Sequence, residues 1–460
     1  MLSYWKLHKI PIFMVLGSLL CYAVFAYDLN REDFLKLLFL FSALFFLSYK
    51  LIQFEKWNVN FLIITGILFR FVFLIAEPNL SQDFYRFIWD GALIKHGINP
   101  YLFTPNELMV GSLSIAESFN ISQIPNAKIL FDGMGELSAK HHSNYPPINQ
   151  ILFAVAAFLG MGKVMSSIIW LRLLIIAADI GIFFFGRKLL QALNLSPHLI
   201  FWYFINPLVI IELTGNLHFE GVMLFFFLWA LFLISKGKYI LAAPVYTASI
   251  LLKLVPLLFL PLFLRYLGIK KALLFYLTAG LSMLFYALPF FTPELLGNYA
   301  RTIELWFSNF EFNASLYNLI KHIGVHYFDA KPWQLIKSYG FFVKSAIVIL
   351  LFFLTFQRKD QILTGLLGSM FIVLCTFYFL SATVHPWYVA FVLFLSLFTN
   401  YRFALLWSFL VVLSYFAYSQ PNFEENLWLL FLEYLVVFSF ISYEFLKKHN
   451  IQGLIRKKLP

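Results

Sequence analysis

Asp83, Arg86 and Asp90 stand at i, i+3 and i+7 in the run SQDFYRFIWDGALIKHGINPYLFTP (81–105), among Phe84, Tyr85, Phe87 and Trp89. That spacing puts the three ionisable side chains on one helical face. The run follows an apolar stretch, 61–75, interrupted only by Thr65 and Arg70. The charges therefore fall at the surface of a membrane, where ionisable groups are costly and count as functional-site candidates by default. A carboxylate in that setting suits a general base for a hydroxyl nucleophile, and Asp83 is the first choice. An arginine beside it suits a phosphate or orients the carboxylate. The same residues also read as a salt-bridged juxtamembrane helix, stopped by Gly97, Asn99 and Pro100, with Arg70 as a partner; Asp90 fits either reading.

Four further constellations carry chemistry. In HHSNYPP (141–147), two prolines ahead of an apolar segment start a helix and hold Tyr145 extended. Tyr145 is placed to stack on a sugar or a prenyl chain, and His141 and His142 suit phosphate, metal or a solvated loop. In NPLVIIELTGNLHFEGV (206–222), Glu212, Asn216, His218 and Glu220 cluster at a helix end. A carboxylate–histidine pair relays protons or orients a ligand; capping and a tight turn through Gly215 account for the same residues. Lys253 stands between two short apolar segments in LLKLVPLLFLP. A lone lysine at such a break must snorkel, bind an anion or pair with an acid. In HPWY (385–388), His385 suits a phosphate while Trp387 and Tyr388 suit a ligand face, although aromatic belts at membrane interfaces need no function.

These residues need a scaffold of spans. Of 460 residues, 61% are hydrophobic, 20% aromatic and only 12% charged, against about 25% charged in soluble domains. The chain reads as an all-α polytopic membrane protein of about 13–14 transmembrane helices. The spans fall near 11–25, 34–51, 61–75, 168–186, 199–213, 222–235, 239–252, 254–264, 272–290, 339–356, 362–381, 388–398, 403–418 and 427–446. Two hydrophilic segments interrupt them: a large first extracytoplasmic loop, 77–147, expected to bear short juxtamembrane helices, and a second loop, 291–338. The whole of 1–460 reads as one membrane domain without an internal repeat. Lys6 and Lys9 precede an apolar stretch with no cleavage site after it, which reads as a retained span. The net charge of +11 fits cations gathered on the cytoplasmic side; no basic–aromatic platform points to nucleic acid. Cys21 and Cys375 lie inside apolar spans and form no disulfide or metal motif.

Orientation follows from Lys and Arg. Lys6, Lys9, Lys50 and Lys56 set the inside, and the 77–147 loop then lies outside. If 148–160 crossed the membrane, Arg187, Lys188, Lys236, Lys238, Lys270, Lys271, Arg358, Lys359 and the basic C-terminus would all land outside. That segment is short for a span, so it is expected to dip in from outside and return. The polar groups between spans then collect on the outer side, from 83–101 to His385–Tyr388.

In this order, the motifs resemble the integral-membrane glycosyltransferases of the GT-C fold. The nearer likeness is to bacterial polyprenol-phosphate-mannose-dependent mannosyltransferases and the catalytic mannosyltransferase of GPI-anchor synthesis. The residues that carry it are Asp83 with YRFIWDG and GINPY, then NYPP, RLLIIAADIG (172–181), NPL…GNLHFE, KLVPLLFLP and HPWY. Relatives often have Gly-His-Asp where this chain has Leu217, His218, Phe219 and Glu220. The resemblance implies a catalytic acid in the first large outer loop, a lipid-phosphate sugar as donor, and inversion at the anomeric carbon. The residues fit such a donor: Asp83 is the first choice of base for the acceptor hydroxyl, and Arg86, Lys253 and His385 are the cations available for the donor phosphate. Trp89, Asp90, Tyr145, Asn216, His218, Glu220, Trp387 and Tyr388 are expected to contact sugar or acceptor, with aromatic faces and hydrogen-bonding groups.

The expected function is transfer of a hexose, mannose first, from a polyprenyl-phosphate donor to a lipid or glycan acceptor. The expected place is the outer face of a bacterial inner membrane. No P-loop, GxSxG, HExxH or cysteine pair occurs, so no cofactor is expected and a divalent metal has no support. A transporter or flippase is the alternative, suggested by broken helices around Lys253 and by Glu212. A surface-polysaccharide polymerase or ligase shares the lipid-linked chemistry.

Overall fold

The computed structural model describes residues 2–110, 121–308, 310–356 and 362–456. Arg358, Lys359 and 457–460, used above for orientation, lie outside the described residues. Among the described residues all regular structure is helical, save one isolated bridge pairing Phe312 with Thr383.

The chain opens with α1 (Leu2–Tyr27), α2 (Phe34–Phe54) and α3 (Val59–Val72). Asp33 caps α2 and Asn58 caps α3, each side chain accepting a backbone N–H that the helix leaves unpaired. The first polar segment holds α4 (Asp83–Lys95), α5 (Pro105–Val110) and α6 (Ala127–Ala139), the expected short helices. Next come α7 (Pro147–Leu159), α8 (Val164–Ala192), α9 (Phe201–Phe204), α10 (Glu220–Ser235), α11 (Tyr239–Ile250), α12 (Leu260–Leu267) and α13 (Ile269–Ala287). The second polar segment contains α14 (Pro293–Ser308) and α15 (Leu316–Phe328). The chain closes with α16 (Pro332–Phe356), α17 (Leu363–Leu380), α18 (Val389–Ser396), α19 (Phe403–Leu410) and α20 (Leu427–Arg456).

The protein is an all-helical polytopic membrane protein. Among the described residues, seven helices are long and apolar enough to cross a bilayer, and seven further apolar helices run 10–17 residues. The expected span 199–213 is instead broken: Pro197–Phe204 and Val209–Gly215 meet at 61°. Pro207 at the break lacks an N–H, and Asn206 turns its amide oxygen onto the Leu208 N–H at 2.9 Å. The part beyond the break is a π-helix, a form frequent at functional sites.

Buried polar staples fix the spans. Arg70 on α3 donates Nε to Asp179 on α8 at 2.8 Å and Nη1 to the Gly66 and Phe204 carbonyls at 2.9 and 2.8 Å. Arg70 therefore pairs with Asp179 and not with Asp90. Arg172, two turns earlier on α8, donates to the carbonyls of Leu74, Ala76, Thr214 and Gly215. The RLLIIAADIG run thus holds the top of α3 and the broken span against α8.

The molecule has two chemically different ends. At one end His8 contacts Glu55 at 2.7 Å, and Lys56 and Arg187 lie within electrostatic reach of His198. Lys188 and Lys236 both stand over the Phe232 ring there. At the opposite end lie α4, the 77–110 and 121–147 segments and the turn at Lys253. Helix α7 starts and finishes at this second end. Its first turn donates Ile148 N–H to the Leu251 carbonyl and the Asn149 side chain to the Leu252 carbonyl. Past its last turn, Gly162 accepts a hydrogen bond from Asn126. Helix α8, not α7, carries the chain to the basic end.

Candidate active site

Asp83 is the first residue of α4. The segment before it is tied down on two sides. Asn79 Nδ2 donates to the Phe25 and Leu29 carbonyls at 2.7 and 3.2 Å. The Leu80 N–H donates to Asn216 Oδ1 at 3.1 Å. Helix α4 packs along α7 at Gly91, where a β-carbon would sit 2.2 Å from the Phe153 carbonyl oxygen. That packing delivers Tyr145, just ahead of α7, to Asp83. Pro146 is extended and Pro147 is the first helical residue, while the Tyr145 carbonyl accepts from the Tyr101 hydroxyl at 2.5 Å. The Tyr145 hydroxyl is a hydrogen-bond donor to the half-buried Asp83 carboxylate.

Lys253 reaches the same place from the break between α11 and the short helix Val255–Phe259. Its Nζ lies 2.9 Å from Glu220 Oε1 and 6.0 Å from the centre of the Tyr145 ring. Glu220 opens α10, so its charge also meets the positive end of that helix. Burial raises the Asp83 carboxyl above its ordinary range; Lys253, the Tyr145 hydrogen bond and Arg31 pull against this, and Glu220 adds to it. A base with a raised pKa retains more driving force for taking a proton near neutral pH.

Beside this pair stands a stack of three rings. The His218 imidazole lies parallel to the Trp387 indole with centres 3.7 Å apart, and the His385 imidazole lies parallel to it at 4.4 Å. Two rings that close to one indole centre do not fit on the same face, so Trp387 is sandwiched. It does not present a free face to a sugar. Tyr388 meets His385 edge-on at 5.3 Å and lies within electrostatic reach of Glu220 and Asp83. Burial first, then Lys253, push His385 down to about 3. Burial, with Lys253 and His385, also holds His218 well below its usual value. Both imidazoles are neutral at pH 7, so neither brings a positive charge to the site. His218 is aimed by Leu217, whose φ of 61° is in the left-handed region that glycine favours. The sequence departs from the Gly-His-Asp pattern at that strained position.

The remaining expected site residues lie elsewhere. Arg86 donates Nε to Asp90 at 2.7 Å and Nη1 to the Ser138 and His141 carbonyls. Asp90 accepts from Ser143 at 2.5 Å and from Gln150 at 3.0 Å. This network closes the 137–150 segment onto α4. Trp89 is wholly buried against Phe131. His141 points back to the Leu137 carbonyl at 2.8 Å. Burial lowers His142, which faces Glu107 and the Leu102 backbone rather than Asp83. Asn216 holds the Leu80 backbone, and Glu212 accepts from the Tyr415 hydroxyl at 2.5 Å. Of the expected set, Asp83, Tyr145, Lys253, Glu220, His218, His385, Trp387 and Tyr388 come together.

Sequence reasoning missed Arg31, Phe312 and Tyr418. Arg31 lies in the turn between α1 and α2, and its guanidinium carbon stands 3.9 Å from the Tyr418 ring centre. Phe312 stacks on His385 at 5.3 Å and meets Tyr418 edge-on. Arg31 stands among Asp28, Glu32 and Asp33, and nothing local sets it apart. Among the described residues no three His, Cys, Asp or Glu side chains gather as a metal-ligand set.

Residues 34–268 match the model of a family described as Alpha-(1->6)-mannopyranosyltransferase, N-terminal domain. That stretch runs from α2 to the end of α12 and includes Asp83, Tyr145, His218, Glu220 and Lys253. Alpha-(1->6)-mannopyranosyltransferase A of Mycobacterium tuberculosis (strain ATCC 25618 / H37Rv) is 24% identical to the chain over 337 residues, which are 68% of this chain. The chain spans 60% of the length of that relative. With just over half of its 460 residues inside the family match, the chain belongs to the Alpha-(1->6)-mannopyranosyltransferase family.

Proposed function

We propose that this protein is a glycosyltransferase that moves mannose from a polyprenyl-phosphate donor to a glycan or glycolipid acceptor. Family membership and the mycobacterial relative support mannose as the sugar. The observation that carries the reading is the convergence of Asp83, Tyr145, the Lys253–Glu220 pair and neutral His385 at one end of the span bundle. In this reading Asp83 takes the proton of the acceptor hydroxyl as its oxygen attacks the anomeric carbon. The anomeric C–O bond breaks, and its electrons pass to the phosphate oxygen of the lipid. One such displacement inverts the anomeric centre. Lys253 faces the developing charge, and a preorganised cation stabilises it where water would have to reorganise. Lipid-borne phosphate and cationic side chains suffice for this chemistry without a cofactor.

The basic end of the molecule fits the cytoplasmic side, so the reading puts the site on the outer face of a bacterial inner membrane. The transporter alternative predicts charged groups near the midplane reached from both sides. The cluster at one end favours an enzyme.

The test is transfer of radiolabelled mannose from synthetic polyprenyl-phosphate mannose by the purified full-length protein. Asp83→Asn keeps the shape and removes the base. General-base loss of about 10²–10⁴-fold in kcat is expected, and undiminished transfer by Asp83→Asn removes Asp83 from its role.

A further inference from the structure

The turn between α1 and α2 is fastened to the site. Asn79, four residues ahead of Asp83, donates to the carbonyls of Phe25 and Leu29. On the far side of the turn Lys36 pairs with Asp28 at 2.7 Å. Arg31 is left half-buried over the Tyr418 ring and within electrostatic reach of Asp83. Among the described residues it makes no ion pair with a carboxylate.

Charge at the site needs such a group. Two carboxyl groups, Asp83 and Glu220, share the site with the single ammonium of Lys253, and the two imidazoles are neutral. Without Arg31 the cluster offers a phosphodiester one cation, Lys253, and that cation is already engaged by Glu220. Arg86, the arginine nearest in sequence to Asp83, is already committed to Asp90 and two carbonyls. A guanidinium stacked on an aromatic ring keeps its in-plane N–H fork free for a phosphate.

We propose that Arg31, aimed by Tyr418, holds the phosphate of the lipid-linked donor and stabilises it as the leaving group. The inference rests on the sugar-transfer reading above. As the anomeric C–O bond breaks, the departing phosphate gains a negative charge, while the acceptor proton goes to Asp83. Arg31 then binds the leaving phosphate more strongly than the intact donor, so its removal lowers kcat as well as affinity. Arg31 precedes the family-matched stretch, 34–268; the turn brings it to the site from outside that stretch.

The experiment uses the full-length protein in nanodiscs, with prenyl-phosphate mannose as donor and sugar-free prenyl phosphate as inhibitor. Arg31→Ala is expected to weaken prenyl-phosphate inhibition about 10–100-fold, the range of a hydrogen bond to a charged group, and to lower kcat by at least about tenfold. Arg31→Lys recovers part of both. Wild-type inhibition tightens as pH rises through the second phosphate ionisation near about 6, and Arg31→Ala flattens that rise. Lys36→Met breaks the Asp28–Lys36 pair in the same turn and is expected to stay within about twofold of wild type. An equal loss in Lys36→Met overturns the proposal, because turn conformation then explains the effect. So does weakened inhibition by inorganic phosphate with prenyl-phosphate inhibition unchanged. Unchanged kinetics in Arg31→Ala refute the role of Arg31 alone; absence of transfer by the wild type refutes the sugar-transfer reading and this inference together.

Discussion

Breaking the Arg70–Asp179 pair tests whether the staple between α3 and α8 positions the site, and the outcome is asymmetric. Both side chains are wholly buried, with Nε and Oδ2 2.8 Å apart. Asp179→Leu leaves a guanidinium that cannot lose its proton, among apolar spans. Losing one partner of a buried pair costs about 3–5 kcal/mol. Hydrogen bonds from Nη1 to the Gly66 and Phe204 carbonyls remain, so the lower end, about 3 kcal/mol, applies. Arg70→Met leaves a carboxyl that can take up a proton and become neutral, which softens the electrostatic loss. It strips the Phe204 carbonyl of its donor, at about 1–3 kcal/mol for a buried acceptor left unpaired. The double variant Arg70→Met/Asp179→Leu buries no charge and should retain only that carbonyl cost. The assay is SDS unfolding of the purified protein. Stability should fall in the order wild type, double variant or Arg70→Met, then Asp179→Leu. If Asp179→Leu unfolds no more easily than Arg70→Met, the buried guanidinium is not what the pair neutralises, and the reasoning fails.

The other expectations are brief. The pH profile of kcat/KM should rise as Asp83 loses its proton, with its acid limb above the ordinary carboxylate range because burial raises the group. Tyr145→Phe removes a donor that favours the charged form, so the limb should move to higher pH; a downward shift or none contradicts the Tyr145–Asp83 contact. Gly91→Ala puts a methyl 2.2 Å from the Phe153 carbonyl oxygen and must part α4 from α7. Overpacking of this kind costs about 1–3 kcal/mol. Lower SDS stability together with reduced mannose transfer is expected, and a wild-type value for both would show that α4 shifts freely.

Much of the site was legible because its residues break the rules of apolar spans. Asp83, Lys253 and His385 stand at the ends or breaks of apolar stretches where charge is costly, and the cation bias put them on one side. The prolines after Tyr145 foretold the start of α7. Roles were less legible than positions. The i, i+4 spacing of Arg86 and Asp90 allows a pair, but their saturation depends on Ser143, Gln150 and two carbonyls from a segment more than 50 residues away. Trp387 reads as a sugar platform until two imidazoles from separate elements cover it. The break after Phe204 and the amphipathic helices α14 and α15 were missed because hydropathy averages over a bend and treats mixed polarity as loop. Arg31 was invisible because its partner ring, Tyr418, lies at the other end of the chain.

Exposure separates the ion pairs that hold the fold from the Lys253–Glu220 pair at the candidate site. Arg70–Asp179 is wholly sealed, and Arg86–Asp90 exposes at most 4% of either side chain. Each arginine also spends further N–H groups on backbone carbonyls. A ligand entering there would have to displace hydrogen bonds it cannot replace, at several kcal/mol. Lys253, by contrast, is 26% exposed and is held by a single ion pair to Glu220. An ammonium is a point charge with three rotatable donors and can turn from a carboxylate to a phosphate without losing a fixed geometry. The Glu220 left behind sits at the positive end of α10, which tempers the loss of its partner. In the proposed reading the pair holds Lys253 in place until a phosphate takes over from Glu220. Glu220→Gln weakens that hold on Lys253 and should tighten prenyl-phosphate binding while slowing release of the product. If Glu220→Gln instead loosens prenyl phosphate, Glu220 contacts the substrate directly and the exchange of partners does not occur.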